Sequence, residues 1–464
     1  MNSHNKKRPN LLFIMSDDHS ANAISTYNDQ LIETPNIDRI ADDGMRLDHV
    51  YCTNSLCAPS RATILTGNYS HENGVRGLSE HFDGSQQTFP KLMQADGYQT
   101  AIIGKWHLGH GDKSDPTGFD YWTVFPDQGD YYDPEMIEMG ESKVVEGYAT
   151  DIITDKSEEW LDNRDEDKPF MLMVHHKAPH RPWHPPEKYK DLFNHHDIPI
   201  PDTFHDSYQQ SNAAKNADMR IEDLKEEDVK QKVPDGLSSQ EVKEWKFQRY
   251  MKDYLGCVKS IDDNVGRLLD YLDKNHLTEH TIIVYTSDQG FFLGDHGWYD
   301  KRFMYEESLQ MPFVIRYPKE IQPATVCKEM IINNDFAPTF LDFAGIKVEE
   351  PMQGESFRHL LQGKKTGQWR DAIYYRYFEH LTIHNVPAHY GIRTNRYKLI
   401  YYYGEPLDVI GAVKKPTTPE WELFDMERDP YELTNEYNNP NYENVIIELK
   451  NKLQNVKDYY NDHN

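Results

Sequence analysis

The chain is 464 residues long, with 77 acidic side chains against 50 basic ones and a formal charge of −27. So acidic a surface repels duplex nucleic acid and anionic membranes, so neither is expected as a partner, and an anionic substrate would need a local cationic pocket or a metal. The length accommodates one large α/β domain and a smaller one, and no run of about eighteen or more apolar residues is present to span a membrane.

The chain opens with Lys6-Lys7-Arg8 and the apolar Leu11–Met15. This looks superficially like a signal peptide, but the apolar run is short and Asp17-Asp18 stands where a small-residue cleavage site belongs. Asn10 to Met15 reads as a first core strand, and the compartment as cytoplasmic, or as periplasmic or secreted if an export signal has been removed. Thr34 to Gly44 predicts a helix with Thr34 as N-cap, Pro35 at the first helical position and Gly44 just past its end. Further strands are predicted at Gln99–Gly104, Phe170–His175, Thr281–Tyr285 and Pro312–Tyr317, with helices over Gly147–Leu161 and Tyr250–Asn275. Short apolar strands alternating with helices indicate an α/β fold: a large, mostly parallel sheet sandwiched by helices. Residues 201–246 form a charged insert of alternating sign, expected to be a solvated excursion. From 371 the chain becomes tyrosine-rich and predicts a small antiparallel sheet closed by a helix near Asn444–Tyr460. The expected organisation is therefore a domain over 1–370 and a C-terminal subdomain over 371–464.

Polar residues gather just past the C-terminal ends of the first four strands, which is where open α/β sheets bind ligands. Asp17 and Asp18 follow the first strand, and Asp288 and Gln289 the fourth. Each Asp alone could cap a helix. Together they form an all-oxygen set that repels itself unless a hard divalent cation is present, and Ca²⁺ suits it better than Mg²⁺. Lys105 and His107, in Gly104-Lys105-Trp106-His107-Leu108-Gly109, pair a fixed cation with an imidazole. His180 follows the third strand, and Lys301 can return to the same crevice as a second fixed cation. Arg181, His296 and Trp298 are candidate substrate contacts at its rim, and each could equally be structural. The four cysteines, at 52, 57, 257 and 327, are few and irregularly spaced, which excludes a disulfide scaffold.

The run Cys57-Ala58-Pro59-Ser60-Arg61-Ala62-Thr63-Ile64-Leu65-Thr66-Gly67 places a cysteine at a helix start, where free N–H groups and Arg61 make a setting for an anion. It resembles the C-x-P-S-R-x-x-x-L-T-G signature of the formylglycine-dependent sulfatases of the alkaline phosphatase superfamily, at every fixed position. Within that family the chain looks most like the bacterial polysaccharide sulfatases and N-acetylglucosamine-6-sulfatases, through Asp17-Asp18-His19 and Gly294-Asp295-His296-Gly297-Trp298. The resemblance implies that Cys57 is oxidised to formylglycine by a separate maturation enzyme, and that Asp17, Asp18, residue 57, Asp288 and Gln289 bind Ca²⁺. Many members carry Asn or His where Gln289 stands. It further implies that Arg61, Lys105, His107, His180 and Lys301 are catalytic. The implied activity is sulfate-ester hydrolysis on a sulfated oligo- or polysaccharide, either algal (ulvan, carrageenan) or glycosaminoglycan. A phosphodiester or phosphonate monoester hydrolase of the same superfamily, and a non-catalytic binder of sulfated glycans, are the alternatives.

Overall fold

Every residue of Asn10–Ser16 (β1) is buried. Leu11, Phe13 and Met15 face one core, and Leu12 and Ile14 the other. A strand covered on both faces needs an unbroken apolar run, and each such side chain contributes about 1.5–3 kcal/mol by leaving water. The computed structural model describes residues 8–463 apart from 112, 210, 349–350, 365–366 and 368, so Lys6 and Lys7 lie outside the described residues.

Around β1 stand Gln99–Lys105 (β2), Phe170–His175 (β3), Thr281–Ser287 (β4) and Phe313–Arg316 (β5). They form the centre of a ten-stranded sheet in the order Thr325–Cys327, Met45–Leu47, β5, β4, β1, β3, β2, Tyr121–Phe125, Glu135–Glu138, Glu141–Val144. The strands from β4 to Tyr121–Phe125 are parallel, while β5 runs antiparallel to β4. That reversal explains why polar residues do not gather past β5 as they do past the other four: its C-terminal end lies at the opposite edge of the sheet.

Helices cover both faces. Pro35–Asp42 (α1), Ala149–Asp162 (α3) and Ser239–Lys274 (α4) bury their apolar residues in one core, while Cys57–Thr66 (α2) and Phe336–Ala344 (α5) pack in the other. Gly44 does not end α1 in a left-handed conformation: Asp43 is the C-cap, and a Cβ at 44 would lie 2.1 Å from the carbonyl of Ile315. Its glycine serves the close approach of β5. The helix predicted from Tyr250 begins earlier, inside the charged insert, where Ser238 and Glu241 form a capping box. At 36 residues α4 is about 54 Å long.

The C-terminal region forms a four-stranded antiparallel sheet of Ala372–Tyr377 (β6), His389–Thr394 (β7), Tyr397–Tyr402 (β8) and Glu420–Asp425 (β9). It is closed by Glu443–Tyr459 (α6). Its apolar face joins the same core as α2 and α5.

Candidate active site

α2 is buried along its whole length and starts at Cys57. The fixed residues of its sequence each have a structural use. The Ser60 hydroxyl donates to the carbonyl of Asp288 and accepts from Asn333 at 2.9 Å, tying the helix to the end of β4. The Thr66 hydroxyl returns to the carbonyl of Ala62 at 2.8 Å, and Gly67 ends the helix at φ 69°. All four cysteines at 52, 57, 257 and 327 are free and buried.

The structure brings ten of the sequence-predicted residues to one crevice. Cys57 Sγ donates to Asp17 Oδ1 at 3.2 Å and lies 3.8 Å from Gln289 Nε2. Oxygens of Asp17, Asp18 and Asp288 lie within 4.8 Å of one another, as do ligand atoms of Asp17, Cys57 and His180. Cations surround this acidic centre. Lys105 donates to Asp17. Lys301 is bidentate to Asp18 at 2.6 and 2.7 Å. Arg61 reaches Asp288 Oδ2 through Nε at 3.1 Å and a terminal nitrogen at 2.9 Å, and donates to the carbonyl of Lys105 at 2.9 Å. His180 Nδ1 donates to the carbonyl of Arg181 at 2.6 Å, leaving Nε2 3.7 Å from Asp18 Oδ2.

Several of these side chains rise from backbone that non-glycine residues seldom adopt. Asp18 and His107 have φ of 64° and 56°, and Lys301 stands between Asp300 and Arg302 at 80° and 87°. Such conformations cost of order 1–3 kcal/mol each and persist where the surrounding structure enforces them.

Electrostatics sharpen the picture. Burial alone would raise Asp17, but Lys105, His180 and Arg61 hold it well below the usual carboxylate range. Burial outweighs Lys301, and repulsion from Asp17 and Asp288 adds to it, lifting Asp18 to about 7. Burial and Asp17 lift Asp288 to about 6 against Arg61. Three carboxyls in this state could hold a cation. Gln289 fits it too: its Nε2 donates to Asp18, and its buried Oε1 has no partner among the described residues. Burial and Asp17 push the Cys57 thiol well up, so the unmodified cysteine is no thiolate nucleophile.

The rim residues come out differently. Arg181 makes a two-point ion pair with Asp228 and lies over Tyr299, half-buried. His296 and Trp298 are fully buried, so the rim expectation is corrected for both. His296 pairs with Asp206 at 2.8 Å, and Trp298 stacks between Tyr208 and Phe303. Sequence reading missed Lys177 and the loop residues Asp127 and Gln128. Lys177 Nζ donates to the carbonyl of Gln128 at 3.2 Å, and burial with Lys105 nearby lowers it to about 8. The Gln128 side chain bridges Lys105 and His107. Its loop has no motif spacing to single it out.

Comparison with known proteins identifies the family. The family model described as Sulfatase matches residues 9–346, and that for the N-sulphoglucosamine sulphohydrolase C-terminal region matches 294–459. The N-acetylglucosamine-6-O-sulfatase of Bacteroides thetaiotaomicron is 46% identical over 503 aligned residues, covering 98% of this chain and 87% of that protein. A solved structure of a protein in complex with its substrate D-glucosamine-2-N,6-O-disulfate superposes with a TM-score of 0.93 at 44% identity, covering 99% of both chains. An ulvan-active sulfatase of Formosa agariphila is more distant, at 25% identity over 96% of this chain and 80% of its own length.

Proposed function

The chain belongs to the sulfatase family and hydrolyses sulfate esters of carbohydrates, and within that family we propose that it removes the 6-O-sulfate of glucosamine units derived from glycosaminoglycans. The observation that carries the substrate is the 46% identity, over 98% of the chain, to a relative named for that activity. The ulvan-active relative is much further away, so the algal option gives way. The phosphoryl-transfer and binding-only alternatives are not favoured, because relatives matching nearly the whole chain are sulfatases.

Asp17, Asp18, Asp288 and the free Oε1 of Gln289 are the oxygens that would hold a divalent cation, proposed to be Ca²⁺. Bound there, a divalent cation would neutralise these carboxylates and would polarise an anionic ligand held against them. Residue 57 would be formylglycine, made from Cys57 by a maturation enzyme, and that group supplies a nucleophilic oxygen a buried thiol does not.

The remaining work falls to the chain's own side chains. Lys105, Lys301 and Arg61 concentrate fixed positive charge in a chain of formal charge −27, the local pocket that an anionic sulfate requires. His180 is anchored through Nδ1, so Nε2 is the nitrogen that exchanges a proton with the departing sugar oxygen. His107, lowered to about 4 by burial and by Lys105, is neutral at neutral pH and suited to accept a proton.

The test is sulfate release from N-acetylglucosamine-6-sulfate by protein co-expressed with a formylglycine-generating enzyme, with conversion of residue 57 followed by peptide mass spectrometry. Turnover of that substrate, absent in Cys57→Ala, is expected. Turnover of galactose-6-sulfate or ulvan fragments in its place would overturn the substrate assignment.

A further inference from the structure

Beyond the residues already given roles, the loop after Tyr121–Phe125 places two side chains on the same nitrogen of His107. Gln128 Nε2 lies 3.2 Å from His107 Nε2, and Asp127 Oδ1 lies 3.1 Å from it. His107 Nδ1 is buried and has no partner among the described residues. The tautomer of the neutral ring is therefore decided at Nε2.

The chemistry of Lys105 settles which way Gln128 faces. A lysine ammonium carries donors and no acceptor, so the amide oxygen of Gln128 must be the atom that meets Lys105. Its NH₂ then points at His107 Nε2, and an N–H aimed at that nitrogen requires a lone pair there. The neutral ring carries its proton on Nδ1 and presents Nε2 as an acceptor. The same amide holds Lys105, which reaches Asp17, so the ring and the crevice are joined by one hydrogen-bonded chain through Gln128 and Lys105. The loop cannot drift, since Lys177 holds the carbonyl of Gln128 from the end of β3.

Asp127 serves the other protonation state. Its carboxylate has nothing to gain from a lone pair at Nε2 and makes a charge-assisted hydrogen bond once Nε2 carries a proton. Its side chain is 81% exposed against 8% for His107, so it connects a buried imidazole with bulk water. The charged groups facing the ring are Lys105 on its own segment, Asp17 from the end of β1, and Asp127.

We propose that Gln128 fixes the tautomer of His107 and that Asp127 carries to solvent the proton His107 accepts. The proton is balanced at each transfer: it bonds to Nε2, passes to Asp127 Oδ1 as the Nε2–H bond breaks, and leaves to water, restoring carboxylate and neutral ring. Gln128 and Asp127 are positioning residues acting through His107. The inference rests on the sulfatase reading for its turnover arm only.

Two measurements test it. The first needs no turnover: ring-¹⁵N shifts of His107, assigned by difference from His107→Gln, in protein with unoxidised Cys57. Wild type at pH 7.5 is expected to show Nδ1 protonated, with Gln128→Ala shifting the population toward Nε2–H. A wild-type ring protonated at Nε2 would overturn the proposal. The second uses matured enzyme. Asp127 sits at φ 52°, which Asn tolerates and Gly prefers, so Asp127→Asn and Asp127→Gly remain folded. Both should lose about tenfold or more in kcat, with KM little changed. Rising formate concentration should restore the Gly variant, which has room for it, and not the Asn variant. Wild-type kcat in both variants, or a loss in the Gly variant that formate leaves unchanged, refutes the proton exit. Wild-type enzyme inert toward every sulfate ester sinks the functional reading instead, and the ¹⁵N arm still decides the tautomer.

Discussion

Arg61 illustrates how much of the crevice rests on single residues. Its guanidinium spans Asp288 and the carbonyl of Lys105, joining the ends of β4 and β2, and it is only 2% exposed. A lysine delivers charge at one point and cannot span both. Arg61→Ala leaves Asp288 buried without its partner, and should cost about 3–5 kcal/mol in urea unfolding. Arg61→Lys should cost less stability but still lose most sulfate release. A near wild-type unfolding midpoint for Arg61→Ala would show that the pair does not hold the site together. Gln289 is a cleaner probe of the cation. Gln289→Leu keeps the volume and removes the unpartnered Oε1. Calcium titrations followed by thermal unfolding should show affinity weakened about tenfold or more, beside a metal-free stability loss of about 1–3 kcal/mol from the missing Nε2 donation to Asp18. An unchanged calcium response would remove Gln289 from the ligand set.

At the scale of elements, the strand ends do the positioning, and Gly104 is the tightest of them. It has φ 110° at the point where β2 delivers Lys105, and a Cβ there would stand 1.9 Å from the carbonyl of His175 on β3. Gly104→Ala therefore suffers backbone strain and a clash against main chain that cannot yield. A loss of about 3 kcal/mol or more is expected in urea unfolding, along with displacement of Lys105 and loss of activity. A variant as stable and as active as wild type would contradict this. Four of the five central parallel strands and the residues after them were legible in the sequence, because doubly covered strands are short apolar runs and their ligands follow directly. The direction of β5 was not, since an apolar run does not record which way it runs. The start of α4 was hidden because its first turns lie on a charged surface, where the apolar period fades. His296 and Trp298 misled for a related reason: a polar and an aromatic residue near a motif read as rim residues, whereas here an Asp206 partner and aromatic stacking bury both.

Across the whole molecule, the C-terminal sheet is bound to the catalytic region through polar as well as apolar contacts, and one of these is tied to pH. Glu422 on β9 is completely buried. It accepts from Tyr402 at 3.1 Å within the sheet and from Tyr305 at 3.3 Å, a residue four positions beyond Lys301. Burial, with Glu420 adding repulsion, raises its carboxyl from the usual 4.5 to about 8. The folded chain thus keeps a proton there that the unfolded chain releases above about pH 4.5. The contribution is complete below that pH and is lost progressively as pH rises through about 8. Glu422→Gln preserves the size and the oxygen that accepts from both tyrosines but cannot ionise. Urea unfolding at pH 5.5 and pH 8 should show the drop in stability between them to be about 3 kcal/mol smaller in the variant than in wild type. Equal drops in the two proteins would mean that Glu422 is not protonated in the native state. A smaller drop accompanied by sulfatase activity that persists to higher pH would show that this joint also keeps the Lys301 segment in register with the crevice.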